Sequence, residues 1–416
     1  MRILYVHQFF AGPDAPGPAQ PRALVRRLAE RGHAVDVVAC DLNAYNEQTE
    51  PEEAYEVPGG GSVRVHRLPV PRGLRASLAN RLKTYGRFAW AAYRFGRRRP
   101  KPDVVLASIQ PLFGGFAAFR LARRWRRPFL LEIRDLWPDA LVVKKAIARW
   151  QAAPLEALAR AMYFGADRVV CLTPGLKQEI LRKGVPAAHV DLFPNGFEES
   201  FFRLEPGTRE KLRAELGWGE AFVAVYTGTH TEVTAVETIV RAAETLKGRR
   251  DVRLDLFGTG QTKPKAIALA QELGLDNVHF HDPVPKSKVP AILAAADAGL
   301  MTLFRSPLIH IYFENKFIDY MGSRLPILAA MEGVQADLIR RCGAGQVVPA
   351  FDHEGLARAI ADAADHPEKR REMGAAGQRF VAEKLEQRKI LDRYAETLEV
   401  LARGEIGALP TWDPFP

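Results

Sequence analysis

Glu314-Asn315-Lys316-Phe317-Ile318-Asp319-Tyr320-Met321-Gly322-Ser323-Arg324-Leu325-Pro326-Ile327-Leu328-Ala329 runs from a polar cluster through a short helical repeat and a glycine-containing turn into an apolar strand. The polar members Glu314, Asn315, Lys316 and Asp319 fall where the helix opens. A helix N-terminus presents unpaired backbone N–H groups and a partial positive charge, which suits a phosphate. Lys316 adds a point charge for that phosphate, and Asp319, one turn in, can accept hydrogen bonds from ribose hydroxyls. The alternative is a solvated helix start carrying a few charges.

The same helix-to-strand unit recurs along the chain. Apolar strand-like runs at 3–7, 35–40, 63–68, 104–108, 129–133, 169–172 and 190–193 alternate with helical patterns. One such pattern, 20–31, places Leu24, Val25 and Leu28 at helical spacing and stops at Gly32. Alternation resumes with strands at 221–227, 252–257, 278–280, 299–303 and 327–330, separated by helices at 236–246, 265–273, 288–296 and 315–321. Near-continuous apolar strands are those of sheets buried on both faces. The fold class is therefore α/β, with two Rossmann-like domains whose parallel sheets face a cleft. The expected boundaries are 1–200, 201–385 and a C-terminal helix and tail, 386–416, with the helix able to cross back to the first domain. The Pro- and Gly-rich end, 407–416, is expected to be poorly ordered.

Composition agrees with two ordinary globular cores: 416 residues, 47% hydrophobic and 26% charged. Cys40, Cys171 and Cys342 lie far apart beside apolar runs, without metal-ligand spacing, and read as small buried hydrophobes. The opening Met-Arg-Ile-Leu-Tyr-Val-His is too short an apolar run for a signal peptide and reads as a first strand. No apolar stretch reaches the roughly 18 residues of a membrane span, so the expected location is cytoplasmic. The net charge of +10 is concentrated in 71–101, which holds Arg72, Arg75, Arg81, Lys83, Arg87, Arg94, Arg97, Arg98, Arg99 and Lys101 and no acid. Lys83 to Arg99 also carries Tyr85, Phe88, Trp90, Tyr93 and Phe95. One reading is an interfacial helix whose rings enter lipid headgroups while its cations meet anionic lipid; the other puts the rings in a core.

Charged and small residues gather in the loops after strands. The first, 8–21, is a Pro/Gly loop with Gly12 and Gly17, followed by Arg22. It lacks the dinucleotide fingerprint, which disfavours an NAD enzyme, and reads as an acceptor- or phosphate-contacting loop or a simple connection. Asp135, in Glu132-Ile133-Arg134-Asp135-Leu136-Trp137-Pro138-Asp139, either accepts a proton from an acceptor hydroxyl or caps the next helix. Gly228-Thr229-His230 ends the second domain's first strand, where small residues let backbone N–H groups approach a pyrophosphate. His230 is either a donor to an oxygen or a solvated loop residue. Gly258-Thr259-Gly260, followed by Lys263 and Lys265, repeats the arrangement. Two glycine turns with cations favour a nucleotide diphosphate. No Asp-x-Asp and no His/Cys cluster of metal spacing occurs, so metal-independent chemistry is expected, and no hydrolase or P-loop signature is present.

Taken together, these residues resemble GT-B-fold retaining glycosyltransferases of family 4, within them the bacterial transferases of O-antigen and capsule assembly. The resemblance rests on the Pro/Gly loop with Arg22, Arg31-Gly32-His33, Arg134 to Asp139, Ala166-Asp167, Pro194-Asn195-Gly196, Gly258-Thr259-Gly260, Leu293 to Leu300 and Asn315 to Met321. It implies a nucleotide-sugar donor, usually a UDP-sugar, bound by the C-terminal domain without metal. Asp319 would hold the ribose; Lys316 and Lys263 would contact the diphosphate beside Gly228, with Glu314, Asn315, Thr229, His230, Gly258 and Gly260 around them. The N-terminal domain would bind the acceptor through the Gly17–Arg22 loop and the Asp135 loop. The leaving diphosphate would help to deprotonate the acceptor hydroxyl on the same face, so no enzymic nucleophile is required. Two departures stand out. Many relatives carry two glutamates eight apart, whereas Ile311 lies eight before Asp319 and Glu314 only five before it. The usual Arg after the second domain's Gly turn is replaced by Thr229 and His230. The reading is a glycosyltransferase at the inner membrane face with a lipid-linked acceptor. A UDP-sugar 2-epimerase, a transferase with a soluble acceptor, and a nucleic-acid-binding protein using 71–101 are its rivals, the last disfavoured by two nucleotide-type domains.

Overall fold

The computed structural model describes every residue except Asp14, Pro16, Tyr45, Arg75, Lys144, Ala408 and Pro416. Pro16 of the first loop and Arg75 of the basic stretch therefore lie outside the described residues. The chain divides into two units, Met1–Asn195 with Arg388–Pro416, and Gly196–Gln387.

The first unit is built on an eight-stranded sheet. Its strands are β1 (Arg2–Val6), β2 (Ala34–Cys40), β3 (Glu53–Glu56), β4 (Ser62–Leu68), β5 (Val104–Ser108), β6 (Phe129–Ile133), β7 (Arg168–Cys171) and β8 (Val190–Leu192). They lie in the order β3-β4-β2-β1-β5-β6-β7-β8, and all pairings are parallel except that of β3, an antiparallel edge the sequence reading did not include. Its alternation is weak, and Glu53, Tyr55 and Glu56 would not mark a buried strand. The order reverses on either side of β1, so the loops after β1 and β5 flank the switch point where ligands of open α/β sheets bind.

Arg31-Gly32-His33 has a structural task here. Gly32 takes φ +81° to end helix Gln20–Glu30. Arg31 then forms a fork onto Glu399 (Nε–Oε1 and Nη2–Oε2, both 2.9 Å), and His33 Nε2 reaches the same carboxylate at 2.8 Å. Arg27 meets Asp392 at 2.6 Å. These pairs fix helix Gln387–Ala402 to the first unit. The tail departs from the expected disorder. Leu192 N donates to Trp412 O and Trp412 N to Asp191 Oδ1, at 2.9 and 2.8 Å, so the tail continues the pairing beyond β8. Lys177 pairs with Asp413, and the Trp412 ring packs on Phe193. Prolines and glycines were read as breakers, but one aromatic anchor and the unpaired edge of β8 suffice to hold the segment.

The second unit has a six-stranded, wholly parallel sheet: β9 (Phe222–Thr227), β10 (Val252–Phe257), β11 (Val278–His281), β12 (Ala298–Thr302), β13 (Ile327–Ala330) and β14 (Gly345–Val348), ordered β11-β10-β9-β12-β13-β14. Strands β9 and β12 are buried along their whole length, and Ile239, Val240, Leu356 and Ile360 of two helices pack on one face. The edge strand β14 was missed by the sequence reading; it is short and half-buried. Gly345 is required there, because a Cβ would stand 1.9 Å from Ile327 O of β13. The order reverses between β9 and β12, which puts the loops after β9, β10 and β12 at one end of the sheet.

Candidate functional site

The second unit gathers most of the expected residues around the ends of β9 and β10. Gly228 N donates to Phe257 O, His230 N to Thr259 O and Thr262 N to His230 O, so the two loops are laced together past the strands. Gly258 and Gly260 have φ of +146° and +156°. A Cβ on Gly258 would lie 1.8 Å from Gly228 O, and one on Gly260 would lie 2.1 Å from His230 O. The glycines thus serve backbone-to-backbone approach as well as any ligand. Gly258→Ala is expected to lower urea stability by more than about 1 kcal/mol, since it combines a disallowed φ with a backbone collision; an unchanged midpoint would show that the loop pair yields. The amides of Gly228, His230 and Gly258 are spent within the fold.

Helix Lys316–Gly322 lies over this end of the sheet. It is positioned by Tyr320, whose hydroxyl accepts from Thr227 N at 2.9 Å and whose ring occupies the space a Cβ on Gly299 would fill. Lys316 is buried, with Nζ 3.8 Å above the Tyr226 ring centre and 3.3 Å from Glu314 Oε2. Burial alone would lower its pKa, but Glu314 and the tyrosines Tyr226 and Tyr320 outweigh it, so the ammonium is held more firmly than in water. Among the described residues no hydrogen-bond acceptor is aligned with Nζ, nor a donor with Glu314 Oε2. Gln335 clasps the Glu314 backbone on both sides, accepting from its N–H and donating to its C=O at 2.9 Å each. Gly228 faces the same cation: a Cβ there would stand 3.1 Å from Lys316 Nζ.

His230 is fully buried, against the expectation of a solvated loop residue, because the rings of Tyr226 and Phe280 cover it. Neither ring nitrogen has a hydrogen-bond partner among the described residues. Burial first, then Lys263 and Lys316, lowers its pKa to about 4, so it is neutral at physiological pH and keeps one N–H to donate. Asp319 is half-buried, and its carboxylate makes no hydrogen bond or ion pair to another described residue. Burial pushes its carboxyl up to about 6, against the pull of Lys286 and Lys316. Lys263 is placed differently from its expected diphosphate role: Nζ donates to Gly258 O and His281 O at 2.9 and 2.7 Å and approaches Asp282, bracing the loop. Thr229 is exposed, and Asn315 is the N-cap residue just ahead of Lys316. Tyr226, Tyr320, Gln335 and Lys286 escaped the sequence reading; only the adjacency of Tyr320 to Asp319 could have pointed to one of them.

In the first unit, Asp135 follows β6, and its Oδ2 accepts from Gln110 Nε2 at 2.7 Å, joining the loops after β5 and β6. Arg22 forms a two-point pair with Glu53 (2.9 and 3.0 Å), donates to Ala11 O and lies over the Phe10 ring. Its guanidinium therefore shapes the first loop from within. Gly17 is exposed in that loop. Arg134 Nη1 donates to Gln20 Oε1 at 3.3 Å, which links the Asp135 loop to the start of the helix that carries Arg22.

The sheet topology is that of two parallel α/β units, and comparison with known proteins places the chain in a family. Residues 19–196 match the model "Glycosyl transferase 4-like domain", and residues 221–366 match "Glycosyl transferases group 1". The chain belongs to the GT-B glycosyltransferases of the family 4 type. WcaI of Escherichia coli (strain K12), named for a glycosyl transferase of colanic acid biosynthesis, is 26% identical over 290 residues, 67% of this chain and 70% of WcaI. A D-inositol 3-phosphate glycosyltransferase of Streptomyces avermitilis is 26% identical over 309 residues, 70% of this chain and 63% of that protein. Among solved structures, Anabaena HepE in complex with UDP superposes with TM-score 0.70 at 17% identity, covering 96% of this chain and 100% of HepE. Sucrose-phosphate synthase from Thermosynechococcus elongatus superposes with TM-score 0.76 at 20% identity, covering 97% and 99%.

Proposed function

We propose that the protein moves a sugar, with retention, from a UDP-sugar to a hydroxyl of a lipid-linked acceptor during cell-surface glycan assembly. The observation that carries this is a buried Lys316, held charged by Glu314 and two tyrosines, with the carboxylate of Asp319 one turn on and His230 beside the Gly228 turn, both side chains without a partner among the described residues. Asp319 accepts from the ribose hydroxyls, while Lys316 and a neutral His230 N–H stabilise the diphosphate as it departs. The bond from the sugar's anomeric carbon to the phosphate oxygen breaks as that carbon bonds the acceptor oxygen. The acceptor proton passes to the leaving diphosphate. No metal is needed in this scheme, since the cation and donors come from the chain. The UDP named in the HepE complex and the biosynthetic role in the name of WcaI support the donor and the pathway class. Asp135 and the loop before Arg22 are assigned to the acceptor.

An anionic membrane surface is the proposed partner of the first unit, on the inner face of the cell membrane. Helix Leu78–Gly96 buries Tyr85 and Phe88 in the core, which corrects the picture of all its rings entering lipid, but leaves Leu78, Leu82 and Trp90 exposed among its cations. Trp150, 77% exposed beside Arg149, adds a second amphipathic edge. Among the described residues no helix is long and apolar enough to cross a membrane.

Thermal unfolding with UDP, GDP, ADP and TDP, without and with magnesium, tests the donor. UDP at a hundredfold excess over its dissociation constant is expected to stabilise the protein by about 2.7 kcal/mol, with or without metal. A response to another nucleotide alone, or one that requires magnesium, would overturn the donor assignment. Product analysis by NMR tests the reaction: UDP release with sugar on the acceptor is expected, and an epimerised UDP-sugar formed without acceptor would overturn transfer.

A further inference from the structure

Along the outer side of helix Leu78–Gly96 runs a groove of about 530 Å³ that the transfer reaction does not use. Arg87, Arg94, Arg98 and Arg99 line it with Trp90 and Phe95. Three of the four arginines lie over rings. Arg87 lies 4.6 Å and Arg94 4.7 Å from the Trp90 ring centre, three residues before it and four after, and Arg99 lies 4.4 Å over Phe95. Stacking fixes a guanidinium's plane while leaving its N–H edge open, so less side-chain freedom is lost when an anion binds. None of the four makes an ion pair with a carboxylate among the described residues. Asp36, whose carboxylate feels Arg99, is tied to His66 Nε2 at 2.8 Å. Like charges lining one groove, without an ion pair among the described residues and with three guanidiniums set over rings, favour a multivalent anion as their partner.

We infer that this groove is a binding site for a doubly charged phosphate, a phosphomonoester or diphosphate, displayed by a lipid headgroup. The inference deepens the membrane part of the proposed function and rests on it for the source of the phosphate. It differs from general attraction to a charged surface, in which only the number of cations counts. In a built site, several N–H donors converge on one phosphate, and replacing stacked arginine by lysine removes the fork while keeping the charge.

The test uses the full chain saturated with UDP, so that the nucleotide site is occupied. Binding is measured by calorimetry with inorganic pyrophosphate, and by flotation on phosphatidylcholine vesicles containing phosphatidic acid or phosphatidylglycerol at equal surface charge. Wild-type protein is expected to bind pyrophosphate and to prefer phosphatidic acid. R87K/R94K is expected to lose roughly tenfold in both, as is Trp90→Leu, whereas R81Q/K83Q, which removes two charges outside the groove, changes pyrophosphate affinity by less than about twofold. Pyrophosphate binding with this signature but no flotation would keep the site and remove the lipid as its source, overturning the inference as stated. Flotation on both anionic vesicles alike, with R87K/R94K equal to wild type, would leave the membrane reading standing and overturn the groove as a site. Equal competition by a single-stranded DNA oligomer would also overturn it, in favour of a nucleic-acid surface.

Discussion

Replacing Asp319 with alanine is expected to weaken UDP binding by roughly 30- to 4,000-fold, the consequence of losing about 2–5 kcal/mol when a carboxylate that accepts from a bound ligand is removed. Asp319 suits this role because the fold gives it nothing else to do. It is half-buried, one turn beyond Lys316, and no hydrogen bond or ion pair to another described residue holds its carboxylate. A carboxylate left in that state raises its own pKa, here to about 6, burial being the chief cause. The sign of the stability effect follows. The folded-state value lies above the unfolded one, so the contribution to stability is fully present below the ordinary carboxylate pKa and is lost as pH rises through about 6. Asp319→Asn should therefore stabilise the ligand-free protein at pH 8 while weakening UDP binding. This opposition separates a binding residue from a structural one, and isothermal titration with urea denaturation on the same variant reads both. In wild type, UDP affinity should rise as pH increases through 6, because ionised Asp319 is the better acceptor. The phosphates of UDP titrate in the same range, so the informative quantity is the difference in slope between wild type and Asp319→Asn. Unchanged UDP affinity in both variants would remove Asp319 from the site.

The order of strands and helices was legible because parallel strands buried on both faces leave continuous apolar runs, such as Phe222 to Thr227, between helices with glycine stops. The two edge strands were not, since Glu53 to Glu56 and Gly345 to Val348 are short and half-buried and carry little apolar signal. Glu314, Lys316 and Asp319 stood out as charges at a helix start, and Gly228, Gly258 and Gly260 as glycines at strand ends. Their partners were not. Tyr226 lies in β9 and reads as core, and Gln335 acts from a helix twenty-one residues after Glu314. The roles of Lys263 and Arg22 could not be read either, because a cation after a glycine turn looks the same whether it awaits a phosphate or holds a carbonyl. Only coordinates show that Lys263 spends its protons on Gly258 O and His281 O.

Lys316→Met is expected to lower both stability and turnover, for separable reasons. Lys316 and Glu314 are a buried pair, with 8% and 18% of their side chains exposed. Removing the cation leaves a buried carboxylate whose Oε2 has no other partner, a situation that costs about 3–5 kcal/mol. It also removes the charge facing the departing diphosphate, and loss of one such preorganised group lowers kcat by roughly 10²- to 10³-fold. Glu314→Gln combined with Lys316→Met should recover most of the stability, since a neutral amide replaces the stranded charge and Gln335 still clasps the backbone at 314. It should recover none of the turnover. Glu314→Gln alone should retain activity, because Lys316 keeps its cation through the Tyr226 ring 3.8 Å away, though without the carboxylate that raises its pKa. Urea midpoints and kcat at saturating donor for the three variants complete the cycle. If the double variant regains turnover with its stability, Lys316 is a strut and the diphosphate charge is met elsewhere. If turnover stays low in a protein that unfolds like wild type, the buried ammonium, held charged by Glu314 and the two tyrosines together, is acting on the reaction itself.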